Sequence, residues 1–94
     1  MPYTVGDLVR VSTEFKVSGA ATDPTTVTLK WRGPTGTVTA WVYLTDSQVV
    51  KTSVGNFRAD IDATLAGTYQ FRWIGTGAAQ GSSQSSFTVE AAML

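Results

Sequence analysis

The residues whose spacing is best suited to chemistry are two aspartates, Asp60 and Asp62, separated by one position. A pair of carboxyl groups is the minimum set for hydrolysis of a glycosidic bond. Phe57, Ala59 and Ile61 alternate with them, which predicts a strand with both carboxylates on its solvent face. A pair on the solvent face lacks the desolvation and the pocket that acid-base catalysis requires. No nucleophile, base and orienting group accompany them, so we expect no enzymatic activity.

Two residue types that carry much of protein chemistry are missing, because the 94 residues contain no cysteine and no histidine. Disulfides, thiolate nucleophiles and cysteine-metal sites are therefore excluded, and so are the commonest general base and metal ligand. Asp60, Asp62 and loop oxygens are chemically suited to calcium. The alternating ligand spacing of a helix-loop-helix calcium site is nevertheless missing, so we expect neither a metal nor a cofactor.

The charges are few and balanced: seven Lys and Arg face seven Asp and Glu. Arg10, Arg32, Arg58 and Arg72 lie singly on different predicted strands, where their stems are expected to cover exposed sheet surface. This distribution predicts no binding to nucleic acid or to an acidic membrane. The first residues lack the features of a secretion signal and no apolar run has membrane-spanning length. We therefore expect a soluble protein made in the cytoplasm.

The elements that must position these residues are short strands with a side-chain period of two. The stretch 8–17 fits one long strand or two strands divided near position 12. Together with turns about every 8–12 residues, the pattern predicts one all-β domain over residues 1–94, with short extensions at both ends. A two-layer sandwich is favoured over a barrel. The further strands are expected at 27–32, 37–44, 49–54, 57–62, 67–74 and 80–89.

The predicted strand 37–44 has one aliphatic and one aromatic face, the latter carrying Trp41 and Tyr43. If the aliphatic residues point into the core, both aromatic residues are exposed, and such residues are enriched at the centres of interfaces. The alternative is that both faces are covered within the domain. We predict partner binding by Trp41 and Tyr43 and by the apolar end of the chain, Met93 and Leu94. The aliphatic face consists of Val38, Ala40, Val42 and Leu44.

The stretch 62–73 resembles the corner of immunoglobulin-like domains. In that corner an acidic residue and a glycine precede a tyrosine whose hydroxyl bonds back to upstream backbone, and Asp62, Gly67 and Tyr69 fit these positions. Phe71 falls where antibody-type domains place their second cysteine, and Trp31 is a candidate for their core tryptophan. Since both cysteines are absent, the resemblance implies an immunoglobulin-like sandwich of about seven antiparallel strands without a disulfide.

The chain as a whole resembles small immunoglobulin-like proteins encoded among the virion genes of tailed bacteriophages. The resemblance implies a non-enzymatic accessory protein, foremost a capsid decoration protein and otherwise a neck or tail accessory, bound in many copies to other virion proteins. Its location would be the virion, after synthesis in the host cytoplasm. The alternative is an adhesive or carbohydrate-binding module, with Trp41 stacking on sugar rings. The segments that carry the resemblance are 6–10, 23–27, 34–36, 55–57, 67–69 and 87–89.

Overall fold

The computed structural model describes residues 3–93, and these residues are almost entirely β-structure. Strands make up 62% of the chain and helix only 3%. The sole helical segment of the described part is a single 3-10 turn, Gly77–Ala79, and no helix there is long and apolar enough to cross a bilayer. The strands are β1 (Tyr3–Thr4), β2 (Leu8–Glu14), β3 (Lys16–Val17), β4 (Ala20–Ala21), β5 (Thr26–Arg32), β6 (Val38–Val42), β7 (Val50–Ser53), β8 (Asn56–Asp62), β9 (Gly67–Thr76) and β10 (Gly81–Glu90).

The strands form three sheets of unequal size. Five strands lie in the order β1-β10-β9-β5-β6, three in the order β2-β8-β7, and β3 pairs only with β4. All pairings are antiparallel except that of β1 with β10, which is parallel. The all-β prediction is therefore confirmed, whereas the described part of the chain contains ten strands, three of which have only two residues.

The predicted strand 8–17 is divided at Phe15. The chain leaves the β2–β8 ladder there, because the Phe15 N–H donates to the Gly55 carbonyl (2.8 Å) and the Phe15 carbonyl accepts from the Thr22 N–H (3.0 Å). The Phe15 ring remains buried. Val17 would share the inward face of Phe15 if the strand continued, because it lies two residues further on, but it is exposed on the small β3–β4 hairpin instead. The division thus occurs at the residue that anchors the hairpin in the core.

One hydrophobic cluster joins the two larger sheets. Leu29 and Trp73 are opposite each other on β5 and β9, and both are fully buried. Burial of side chains of this size contributes about 1.5–3 kcal/mol each. Trp31, the predicted core tryptophan, is only partly buried against this cluster. The fully buried large side chains are Trp73, Phe57, Leu29, Ile61, Val9, Val27 and Val89.

Two glycines permit close approaches at the two ends of β9. A Cβ atom on Gly75 would lie 2.6 Å from the Phe15 ring, so only glycine accommodates that ring. Gly67 has a φ of 136°, and a Cβ atom there would lie 2.6 Å from Pro34 Cγ. Both positions require glycine for steric reasons. The close packing at the two ends of β9 therefore depends on these two glycines.

Candidate functional site

In the structure the aromatic face of β6 points towards the core and the aliphatic face points outward. Trp41 pairs with the fully buried Leu29, so both side chains lie on the core side of the sheet. The Trp41 ring lies 5.3 Å from the Trp31 ring, and Tyr43 meets Phe57 edge-on at 5.1 Å between centroids. The condition under which both aromatic residues would be exposed, an inward aliphatic face, is therefore not met. Aromatic rings bury more apolar area than the small aliphatic side chains on the other face, which favours this orientation.

The aliphatic face of β6 is consequently turned outward. Val38 is 59% exposed, and Leu44, just beyond the strand, is 86% exposed with a positive φ of 74°. Of the two terminal candidates, Met93 is 96% exposed and Leu94 lies outside the described residues. Partner binding by Trp41, Tyr43 and Met93 stays a prediction. For the two aromatic residues, the surface available to a partner is limited by their packing on the core.

The aspartate pair is divided between two different environments. The predicted alternation is confirmed, since Phe57, Ala59 and Ile61 are buried and the residues that alternate with them along β8 are not. Asp60 accepts a hydrogen bond from Arg10 Nε at 3.0 Å, and Arg58 lies 3.7 Å away. The hydrogen bond from Arg10, followed by the positive charges of Arg10 and Arg58, holds the pKa of Asp60 below its ordinary value. A general acid needs a raised pKa, so this environment favours a structural ion pair. Asp62 is exposed at the end of β8.

A second carboxylate, Asp23, ties a loop to a turn. Its Oδ1 accepts from the Gly55 N–H at 2.8 Å and its Oδ2 from Lys51 Nζ at 2.6 Å. The hydrogen bond from Lys51, and then the one from Gly55, lowers the pKa of Asp23. Residues 3–93 contain no group of three His, Cys, Asp or Glu side chains placed to hold a metal ion. The carboxylates with neighbouring cations thus serve to connect elements of the fold.

The corner tyrosine is a buried structural residue. The Tyr69 hydroxyl accepts a hydrogen bond from the Leu65 N–H at 3.2 Å, and its ring stacks on Phe87 with centroids 5.0 Å apart. Asp62 and Gly67 delimit the intervening turn, in which the Asp62 carbonyl accepts from the Thr64 N–H. The corner therefore fixes the entry into β9 through the buried side chain of Tyr69.

The candidate functional site lies on the outer face of the five-stranded sheet, where side chains of β5, β9 and β10 surround an open trough of about 710 Å³. We call this surface the basic trough. Side chains directly opposite one another form two rows across the three strands. The first row consists of Lys30, Arg72 and Gln84, and the second of Arg32, Gln70 and Ser86. Val38 of β6 lies beside Arg32 at its margin.

The cations of the basic trough differ from the other cations of the chain. Four of the seven Lys and Arg side chains lie within 4.0 Å of a carboxylate, namely Arg10, Lys16, Lys51 and Arg58. Lys30, Arg32 and Arg72 have no such partner among residues 3–93, and all three line the trough. Arg32 is instead held by Gln70, whose Oε1 accepts from Nε (2.7 Å) and also from Nη2.

Arg32 and Arg72 lie singly on separate predicted strands, and no local pattern brings them together. The period of two does place Lys30 with Arg32, and Gln70 with Arg72, on outward faces. Only the pairing of Lys30 with Arg72 across β5 and β9 makes these residues one surface.

Comparisons with protein-family models, with curated proteins and with solved structures found no match. The functional interpretation therefore rests on the chemistry of this surface, which is suited to binding anions.

Proposed function

We propose that this chain is an immunoglobulin-like β-sandwich that serves as a non-enzymatic structural accessory protein of a tailed bacteriophage virion, foremost in capsid decoration. The observation that carries the proposal is the arrangement of strands. Strands β2, β8 and β7 form one layer, while β10, β9, β5 and β6 belong to the other, with a shared core between them. The immunoglobulin fold divides its strands in the same manner, with an extended sheet facing a smaller one.

The corner preceding β9 supports the same fold. Immunoglobulin-like domains have a tyrosine near the start of the sixth strand whose hydroxyl bonds to backbone a few residues upstream. Tyr69 lies near the start of β9, and its hydroxyl accepts a hydrogen bond from the Leu65 N–H, four residues earlier. Phe71 packs partly against the core, and the resemblance implies that this position holds the second cysteine in antibody-type domains. A sandwich of this kind folds without oxidation, as a protein assembled from the host cytoplasm must.

A role in attachment suits the surface better than a role in catalysis. Asp60 is engaged by arginines that favour its charged form, whereas the three cations of the basic trough are left without carboxylate partners among residues 3–93. Electrostatic complementarity of this type directs association with a charged partner. The virion, as the place of that association, is inferred from the resemblance of the turn and strand pattern to small virion proteins.

The alternative of a glycan-binding module has less support. Sugar stacking needs an exposed aromatic face, and Trp41 packs against Trp31 on the core side of β6. Tyr43, the residue that follows β6, is also engaged with the core, since its ring contacts Phe57. We therefore retain the accessory-protein proposal.

Purification of phage particles tests the proposal. Particles of the phage whose genome carries this gene are banded on a density gradient, and the protein is quantified by mass spectrometry relative to the major capsid protein. We expect a fixed copy ratio that persists through repeated banding, because a structural component is bound specifically. A soluble host protein serves as the control for carry-over. Absence from intact particles, or a ratio that falls with each banding like that of the control, would contradict the proposal.

A further inference from the structure

We propose that the basic trough binds an extended acidic segment of a partner protein, with carboxylates on alternate residues of that segment. The inference rests on the proposed function in one respect, since the partner would be a neighbouring protein in the assembly. The trough is defined by Lys30, Arg32, Gln70, Arg72, Gln84 and Ser86, which lie on three adjacent strands.

The positive charges of the basic trough favour an acidic partner. Lys30 and Arg72 are directly opposite each other on β5 and β9, and like charges in such positions are unfavourable. No carboxylate among residues 3–93 lies within ion-pair distance of either side chain or of Arg32, although every other Lys and Arg there has such a partner. An anion placed between these cations relieves their repulsion. The surface therefore complements negative charge.

The spacing between the two rows of the trough matches the side-chain spacing of an extended segment. The two rows of the trough are two residues apart along each strand, a separation of about 6.7 Å. Alternate side chains of an extended segment have the same separation and point to the same side. A segment lying along the strands therefore places one carboxylate near Lys30 and Arg72 and the next near Arg32. A block of adjacent acidic residues directs half of its carboxylates away from the trough.

The hydrogen-bond donors of Arg32 are held in a fixed orientation. Gln70 accepts two hydrogen bonds from Arg32 and so fixes the plane of its guanidinium group. The remaining N–H groups of Arg32 keep the fork geometry that binds a carboxylate through two parallel hydrogen bonds. Gln84 and Ser86 add neutral donors at the ends of the two rows. Val38, exposed at the margin, offers apolar contact to a neighbouring side chain of the segment.

Nucleic acid fits the surface less well. Proteins that bind single strands combine a basic groove with aromatic side chains on which the bases stack. The two aromatic residues that line the trough, Trp31 and Phe71, pack their side chains against the core. Three cations also match two or three carboxylates more closely than a long phosphate backbone. The chemistry therefore favours a short acidic protein segment.

The test is a titration of the whole chain into a fluorescently labelled decapeptide of alternating glutamate and threonine, followed by anisotropy at low salt. The variant Arg32→Gln/Arg72→Gln is compared with Arg10→Gln/Lys16→Gln, which changes the net charge equally on other surfaces. We expect the trough variant to weaken binding by about tenfold or more, while the control stays within about twofold of the parent chain. A peptide with the same glutamates in one block should bind more weakly, and one with glutamines should not bind.

Several results would overturn the inference. Absence of binding, equal losses in the two double variants, or equal affinity for the alternating and block peptides each contradicts it. Tighter binding of a thymidine oligonucleotide than of the peptide would assign the trough to nucleic acid. Self-association that the trough variant abolishes would assign it to a second copy of the chain. Circular dichroism of both variants verifies folding, which is expected since all substituted residues are exposed. Particle association without peptide binding would refute this inference alone and leave the proposed function standing.

Discussion

The outer faces of the two larger sheets carry similar numbers of cations in opposite electrostatic states. On the three-stranded sheet, Arg10 and Arg58 both flank Asp60, and we call this surface the ion-paired face. On the five-stranded sheet, Lys30, Arg32 and Arg72 have no carboxylate partner among residues 3–93. Arginine therefore has a different role on each of the two faces. Charges that are satisfied within the chain connect strands, whereas charges that are left unsatisfied and gathered together are available to a partner.

The largest effect we predict concerns the core that both faces share. Trp73 and Arg72 are neighbours on β9 but point to opposite sides, one fully buried and the other exposed in the trough. Trp73→Ala should lower the free energy of unfolding by about 3–5 kcal/mol, because it removes a large buried side chain and leaves a cavity. Chemical denaturation measures the loss. Arg72→Ala is the matched control and should change stability little. Equal effects of the two substitutions would contradict the assignment of the two faces of β9.

The next effect concerns the corner that positions β9. Tyr69→Phe removes the acceptor of the Leu65 N–H and should cost about 0.5–1.5 kcal/mol of unfolding free energy, in accord with an ordinary hydrogen bond. Tyr3→Phe is the control, since no hydrogen bond of the Tyr3 hydroxyl is found within residues 3–93 and its ring contacts the same Phe87. Thermal unfolding of both variants decides the matter. Identical midpoints would mean that the corner hydrogen bond contributes nothing measurable.

A smaller effect should distinguish the two outer faces directly. Asp60→Asn leaves Arg10 and Arg58 without their carboxylate and should destabilise the chain by roughly 0.5 kcal/mol, the usual range for exposed pairs. Arg72→Gln should leave stability unchanged or raise it slightly, because it removes a charge opposite Lys30. Denaturation midpoints of the two variants are compared at low salt. A loss on Arg72→Gln as large as that on Asp60→Asn would erase the contrast between the faces.

The smallest effect is the dependence of stability on pH. The pKa values of Asp23 and Asp60 are lowered in the folded chain, chiefly by hydrogen bonds from Lys51 and Arg10. Their contributions are therefore complete above the ordinary aspartate pKa of about 3.9 and are lost as the pH falls through the lower folded values. Midpoints of thermal unfolding should decline over that acidic range. The variant Asp23→Asn/Asp60→Asn should show a shallower decline, and an unchanged slope would contradict these assignments.

The sequence predicted best those strands in which one face alone is apolar. The stretch 57–62 is such a case, since its alternation leaves one choice of inward residues and the structure agrees. The stretch 37–44 has two apolar faces, so periodicity does not decide which one is buried. Contact of Trp41 with Trp31 and of Tyr43 with Phe57 decides it, and these contacts depend on tertiary packing.

The remaining differences also arise from long-range pairing. Strand β1 consists of two residues whose pairing with β10 lies outside any local pattern. The division at Phe15 depends on hydrogen bonds to Gly55 and Thr22, which are distant in sequence or across a hairpin. The basic trough depends on the register of β5, β9 and β10. Local patterns specify which way a side chain points, whereas register specifies which side chains meet.

The proposed binding of an acidic segment involves the outer face of the five-stranded sheet and not the ion-paired face. A two-dimensional amide NMR titration with the alternating glutamate peptide tests it most directly, because both faces are observed in one sample. We predict that the amide signals of Lys30, Arg32, Gln70, Arg72, Gln84 and Ser86 shift with the peptide concentration, while those of Arg10, Arg58 and Asp60 stay in place. Shifts confined to the ion-paired face, or spread equally over both faces, would contradict the claim.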